Sequence, residues 1–513
     1  MRHSSSSRGS GSDRGIAPTY SDPSPALGMI SSRPAPYAPH PTPRTPSMST
    51  FRRRTRFDAP AAELFAWHER AGALERLTPP WEPVRVVERR AGAGGSGIAD
   101  GARVVLDVPL LALPPVGAVR TRWVIEHRDY IAGRQFRDVQ IAGPFDRWEH
   151  THRVEPDGEG SVLDDEIHYA LPLGALGRLA GGRFAGAKLE RLFDYRHAVT
   201  AADLERHARF ADRGTLRVAV TGATGLIGRT LVGFLATGGH EVRRLVRSRS
   251  AMRPGDVYWN PAAGEIDASG LDGLDAVVHL AGETVSERWT AAHRRAIRES
   301  RVQGTGLLAR TLAALSRPPK VLVSASAVGY YGDGGDRERD ESSPPGTDFL
   351  AGVAREWEAA AAPAAARGIR VVHPRSGVVL SAGGGALARL LPPFKLGAGG
   401  KIGSGKQWMS WIALDDVVGA LHFLLFTDSL AGPVNVTSPN PVTNAEFGQT
   451  LGHVLHRPAL ATVPALALRL MYGEMADTML LAGQRVLPRK LQAAGFTFRH
   501  PELEEALRWE LGK

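Results

Sequence analysis

Between residues 50 and 210, apolar and polar positions alternate in short runs: Val84–Arg89, Arg103–Val108, Arg120–His127, Gln135–Ala142, Trp148–Val154 and Asp165–Tyr169. Period-two alternation buries one face of a strand and wets the other, so these runs predict half-buried antiparallel strands. A short helix, Ala61–Arg70, precedes them with Leu64, Phe65 and Trp67. A long helix from about Arg183 to Arg209 follows, with Leu189, Leu192, Phe193 and Leu204 on one face. Helix, curved sheet and long closing helix make an α+β helix-grip layout, whose sheet wraps the last helix and often leaves a cavity.

After a short linker at 211–215 the pattern changes to strand–turn–helix units. Leu216–Thr221 is a predicted strand, Leu226–Thr237 a helix and Glu241–Val246 a strand; Ala276–Leu280, Lys320–Ser324 and Arg370–Pro374 are further strands. Alternation of this kind implies an α/β Rossmann domain, a doubly wound parallel sheet, over 214–460. From about Leu460 the chain turns helical. Residues 461–513 form a small C-terminal helical domain with a loop around Gly483–Pro488 and a final helix at Glu502–Leu511. Residues 1–49 are rich in Ser, Pro and Arg and cannot bury enough apolar surface to offset ordering. They are expected to be a disordered N-terminal tail, with Met29 and Met48 as later starts.

Charge changes this picture little. The net +10 suggests nucleic acid, but the first 56 residues hold nine Arg against two Asp, leaving +3 for the rest. The basicity, including Arg52-Arg53-Arg54, is therefore expected to be a solvated arm and no nucleic-acid partner is assigned. The chain has no cysteine, which excludes disulfides, thiolate metal sites and a Cys nucleophile. No apolar run reaches the roughly 18–20 residues of a membrane span, and no secretory leader is visible. The expected location is the cytoplasm.

The loop Thr221-Gly222-Ala223-Thr224-Gly225-Leu226-Ile227-Gly228 follows an apolar strand and opens a helix. Gly222 permits the tight turn; Gly225 and Gly228 let backbone approach a pyrophosphate and let helix pack on strand. Gly222, Thr224, Gly225, Leu226, Ile227 and Gly228 are the expected dinucleotide contacts, with helix N–H groups and dipole facing the phosphate. The second strand ends in Arg247-Ser248-Arg249 where NAD sites usually carry an acid. Arg247 would pair with a 2′-phosphate and Ser248 add a hydrogen bond, so NADP(H) is favoured over NAD(H). Leu280, Ala281 and Gly282 end a later strand and admit the adenosine ribose or nicotinamide half, or make an ordinary strand-to-loop turn.

TGATGLIG, HLAG and SASAVGYYG resemble the extended short-chain dehydrogenase/reductases. Arg298-Glu-Ser-Arg301-Val-Gln-Gly-Thr305, Arg375-Ser-Gly-Val-Val-Leu-Ser-Ala-Gly-Gly-Gly385 and Gly400-Lys-Ile-Gly-Ser-Gly-Lys-Gln-Trp-Met-Ser-Trp-Ile412 resemble an atypical branch of epimerase-family, cell-division-inhibitor-like proteins. The likeness spans 216–513 and implies Arg301 at the cofactor. Residues 50–210 resemble the polyketide-cyclase/START-like (SRPBCC) superfamily on Phe65-Ala-Trp67-His68, Leu77-Thr-Pro-Pro-Trp81, Phe136-Arg-Asp138-Val-Gln140 and Gly143-Pro-Phe-Asp-Arg-Trp148-Glu-His150, which implies an apolar ligand there.

The resemblance implies a Tyr-x-x-x-Lys pair as acid/base, yet none of the nine Tyr has Lys four residues on, and no Lys lies between Lys320 and Lys395. The matching stretch, Asp348 to Glu358, has no Tyr. Ser326 best matches the family's active-site Ser. Tyr330 and Tyr331 either donate a proton or merely wall the pocket, and no cation near them is visible in the sequence. Asp415-Asp416 is expected to cap a helix. His150 and His152 share one strand face and His68 lies on the first helix, but no acidic partner is evident, so no metal is assigned.

Two functions fit. One is an NADP(H)-dependent oxidoreductase or epimerase with a rearranged acid/base, acting on a small-molecule substrate, with 50–210 delivering or shielding an apolar one. The other is a non-catalytic, nucleotide-responsive binding or regulatory protein. A lipid carrier using 50–210 alone is a third. The retained loop and Ser favour the enzyme. Oligomeric state is not legible.

Overall fold

The computed structural model describes residues 48–92, 97–113 and 117–513; the tail expected over 1–49 lies outside them up to residue 47. Strand β1 (Ser49–Phe57) leads into helices α1 (Ala61–Glu69) and α2 (Ala73–Arg76). Strands β2 (Arg85–Arg90), β3 (Arg103–Leu113), β4 (Gly117–Ile131), β5 (Gln135–Ala142), β6 (Arg147–Asp157) and β7 (Gly160–Ala170) follow, then helix α3 (Gly174–Ala208). The strands form one antiparallel sheet in the order β1-β7-β6-β5-β4-β3-β2. Phe193 and Leu189 of α3 pack with Phe51, Trp148, Ile167 and Tyr169 of the sheet. The helix-grip expectation holds.

Two readings of this unit are corrected. The Arg52-Arg53-Arg54 cluster is not a solvated arm. It lies in the edge strand β1, where Arg52 pairs with Asp164, Arg54 with Glu155 at 2.9 Å and Arg56 with Asp157 at 2.9 Å. Phe51 and Phe57, on either side of these arginines, point inward, an alternation that the charges masked. Helix α3 begins nine residues earlier than expected, because Gly174, Gly177, Gly181 and Gly182 hide its start.

The second unit alternates strands and helices: β8 (Arg217–Thr221), α4 (Leu226–Thr237), β9 (Glu241–Val246), β10 (Val257–Asn260), β11 (Glu265–Ile266), β12 (Ala276–His279), α5 (Ala291–Ala314), β13 (Val321–Ser324), β14 (Ser326–Ala327) and α6 (Phe349–Ala359). The sheet runs β11-β10-β9-β8-β12-β13 and continues through the strands Arg370–Ser376 and Gly432–Val436. All but β11 are parallel. Both faces are covered, so the strands are apolar throughout rather than alternating. Val218, Val220, Val278 and Val323 pack toward α4 and the helix Leu414–Phe426; Ala219, Val277 and Leu322 pack toward α5.

Asp415 and Asp416 do not cap their helix; its cap position is Ala413, without a side-chain bond. Both are buried counter-charges instead. Arg76 of α2 bonds Asp203 at 2.8 and 2.7 Å and Asp415 at 2.9 Å. Arg206 bonds Asp416 at 2.8 Å, and Asp416 also accepts the backbone N–H groups of Arg499 and His500. One buried ion cluster thereby joins the wrapped sheet, the parallel sheet and the C-terminal segment. In that segment Arg485–Val486, expected as loop, pairs in parallel with Glu338–Arg339. Among the described residues no helix is long and apolar enough to cross a membrane.

Candidate functional site

The chain passes from β8 to β9 and β10 on one side, then returns to β12 on the other. The crevice beyond the carboxyl ends of β8 and β12 is therefore the topological switch point, where open α/β sheets take ligands. The glycine loop lies there. Gly222 has φ +66°, and a Cβ on it would meet Leu280 C at 2.9 Å. A Cβ on Gly228 would sit 2.1 Å from Gly222 O. Only glycine allows the loop, α4 and the end of β12 to close this tightly. Helix α4 begins at Leu226 with Gly225 at its cap position and no side-chain cap, which leaves its first N–H groups for an anion. Thr224 is exposed, and Leu226 and Ile227 are half-buried beside it.

Buried hydrogen bonds set the crevice. Thr221 Oγ1 accepts Leu280 N at 3.0 Å and Ala281 N at 3.1 Å, so its own proton goes to His279 Nδ1, 2.7 Å away. His279 Nε2 then donates to Thr305 Oγ1 at 3.0 Å. Burial lowers the His279 pKa to about 4, so the ring is neutral. Arg301 bonds the carbonyls of Glu283 and Ile297 and lies against Gly282. Burial pulls its pKa down to about 10. It supports the loop from beneath. Arg247 and Ser248 are exposed at the end of β9; Ser248 Oγ lies 2.9 Å from Ser250 Oγ. Among the described residues Arg247 has no ion-pair partner, while Arg249 stacks 3.7 Å from the Tyr258 ring.

Two strands farther on, Ser326 Oγ donates to Glu358 Oε1 at 2.7 Å. Glu358, in the last turn of α6, takes both Arg375 Nε and Nη2 at 2.8 Å. Arg375 Nη1 donates to Tyr331 Oη at 3.0 Å, and Tyr331 donates to Asn435 Oδ1 at 2.7 Å. The sequence therefore concealed a cation that is present. Arg375 is 3% exposed, and its guanidinium lies 3.4 Å from the Tyr330 ring. Burial works against the charge, but Glu358 and Tyr331 hold its pKa above the usual range. Tyr331 is not a free acid: burial pushes its pKa up to about 12 despite Arg375, and both its hydrogen-bonding roles are taken. Tyr330 is half-buried, and its hydroxyl has no partner among the described residues. Glu358, Arg375 and Asn435 were missed. The available signal was Arg375 itself, charged yet placed near the end of an internal strand of the parallel sheet.

In the wrapped sheet His150 and His152 share a face as expected, and the acidic partners absent from the spacing come from the flanking strands. Asp138 lies on β5 and Asp165 on β7. His68 turns its Nδ1 to Leu64 O in its own helix.

Fold and crevice define a dinucleotide-binding domain of the short-chain dehydrogenase/reductase type carrying two appended pieces. Three family models match: the NAD dependent epimerase/dehydratase family over 218–436, polyketide cyclase / dehydrase and lipid transport over 57–193, and a domain of unknown function, DUF1731, over 463–510. An epimerase family protein of Mycobacterium tuberculosis is 45% identical over 291 residues, 56% of this chain and 96% of its own length. The crystal structure of a nucleoside-diphosphate sugar epimerase from Corynebacterium glutamicum is 34% identical, with TM-score 0.73 over 90% of each chain. That of human epimerase family protein SDR39U1, with NADPH, is 39% identical, with TM-score 0.53 over 58% of this chain and 99% of its own. The chain belongs to the epimerase family.

Proposed function

We propose that this protein is an NADP(H)-dependent oxidoreductase or epimerase acting on a small organic substrate in the cytoplasm. The observation that carries the reading is the uncapped start of α4 over the glycine loop at the switch point, with Arg247, exposed after β9 and without an ion-pair partner among the described residues. Gly222, Gly225, Leu226, Ile227 and Gly228 would hold the pyrophosphate, and Arg247 and Ser248 the 2′-phosphate. The human relative is named with NADPH, which supports that choice. When bound, the cofactor supplies a hydride donor or acceptor. Ser326 and Tyr330 are the groups left to bind a carbonyl or hydroxyl and move its proton, with Arg375 fixing the Tyr330 ring. Nucleoside-diphosphate sugars are the first substrates to test, given the Corynebacterium relative's name. The wrapped sheet, with its buried aromatics Phe51, Trp148 and Phe193, is proposed to take an apolar ligand.

Calorimetric titration of the full chain tests the reading. NADPH is expected to bind more tightly than NADH, and Arg247→Ala to narrow the difference by about tenfold, the equivalent of one charge-assisted bond of about 1.4 kcal/mol. Failure to bind either cofactor overturns the proposal. The second reading, a non-catalytic nucleotide-responsive protein, draws on the missing Tyr/Lys pair and on Glu358 and Arg375 engaging Ser326 and Tyr331. A Ser326→Ala, Tyr330→Phe, Tyr331→Phe variant with full cellular activity would favour it.

A further inference from the structure

The inner face of the wrapped sheet carries a polar constellation that the cofactor crevice does not use. His127 on β4 lies opposite Asp138 on β5, which lies opposite His150 on β6. One row along, His152 on β6 lies opposite Asp165 on β7, and His197 of α3 reaches Asp165 from above. His127, His150, His152, Asp165 and His197 are each more than nine-tenths buried.

Asp165 organises the group. Its Oδ1 lies 3.1 Å from His150 Nε2 and 2.5 Å from His152 Nδ1, and its Oδ2 lies 2.6 Å from His197 Nε2. An ionised carboxylate only accepts, so these ring nitrogens carry the protons. The opposite nitrogens are His150 Nδ1, which presents a bare lone pair, and His152 Nε2, which keeps a proton because Asp165 and Asp138 outweigh burial and raise that ring's pKa to about 9. Both face Asp138 Oδ2, at 3.9 and 3.6 Å. A ring nitrogen, a ring N–H and a carboxylate oxygen thus converge, and a divalent ion binding there would take the place of the His152 proton. Ligand atoms around one ion, with bonds of about 2.0–2.2 Å, stand about 3.4 Å apart in a tetrahedron, and one ligand atom from each of the three side chains lies within 4.8 Å of the others. The far oxygen of Asp138 lies 2.7 Å from His127 Nδ1. Imidazoles braced from behind by a carboxylate are the usual support of metal-ligating histidines.

We propose that Asp138, His150 and His152 bind a divalent transition-metal ion of the zinc class, with Asp165 orienting both imidazoles and His127 the Asp138 carboxylate. Two His and one carboxylate leave coordination positions open to water or to an oxygen of a ligand in the wrapped sheet. The Asp138 side chain, 19% exposed, marks the side of access. The site is independent of the cofactor crevice.

The test uses the full chain, purified, incubated with Co²⁺ or Zn²⁺, dialysed and assayed by elemental analysis. About one ion per chain is expected, together with a visible ligand-field spectrum in the cobalt form. His150→Gln/His152→Gln should abolish both while NADPH binding persists. Asp138→Asn, at the most accessible position, should weaken metal binding by at least about tenfold with an unchanged circular dichroism spectrum. No retained ion overturns the assignment. An ion that persists in both variants resides elsewhere, for example at the buried trio His207, His240 and His422, and overturns it equally.

Discussion

Adding one methyl group at Gly228 isolates the crevice geometry from the fold. A Cβ there would stand 2.1 Å from Gly222 O and 2.9 Å from Ala223 Cα, whereas ordinary contact begins near 3.4 Å. The blocking atoms are backbone, so the start of α4 must retreat by about 1 Å. The N–H groups of its first turn would then lie about 1 Å beyond the 2.7–3.2 Å range of good hydrogen bonds to a phosphate. Losing two charge-assisted bonds at about 1.5 kcal/mol each costs about 3 kcal/mol, or about 10²-fold in Kd for NADPH. The displacement itself should lower global stability by about 1–3 kcal/mol. The assay is NADPH fluorescence titration of Gly228→Ala beside thermal unfolding of the same sample. Gly352→Ala is the control, since an added Cβ there meets nothing within 4 Å. A Gly228→Ala protein that binds NADPH within about threefold of the parent would refute the reasoning, because the loop would not then be the phosphate cradle.

Two further outcomes follow from buried charge. Arg76→Ala strands Asp203, which is 0% exposed, and leaves Asp415 only Arg499 and Trp509, so it should destabilise the chain by about 3–5 kcal/mol in denaturant unfolding; a loss under about 1 kcal/mol would mean that the cluster does not join the units. His279, whose pKa is lowered by burial to about 4, binds fewer protons folded than unfolded. Its contribution of about 3 kcal/mol is intact above about pH 6.5 and is lost as pH falls toward about 4, so Tm should decline over that window. His240 and His500, lowered by burial to about 4, slope the same way, and a flat Tm across the window would contradict all three.

Element order was legible because periodicity is local. Alternation marked six of the seven strands of the wrapped sheet, and the bounds of α4 and β9 matched residue for residue. The glycine turn was legible for the same reason, since the turn at Gly222 and the helix start at Leu226 occupy adjacent residues. β1 was missed because Arg52, Arg54 and Arg56 alternate with the inward residues and read as a charge run. Asp415 and Asp416 were misassigned because their position at a helix start fits a cap, while their partners Arg76 and Arg206 lie 339 and 210 residues away.

The sequence by itself determined most of the strands and helices, their buried faces and the tight glycine turn between β8 and α4. Only the tertiary structure decided what surrounds the chemistry. Glu358 meets Ser326 from 32 residues away, and Arg375 meets Tyr331 from 44. Asp138 and Asp165 flank His150 and His152 through strand register alone. Register follows from burying a whole sheet face at once, a collective condition that no short window of sequence carries.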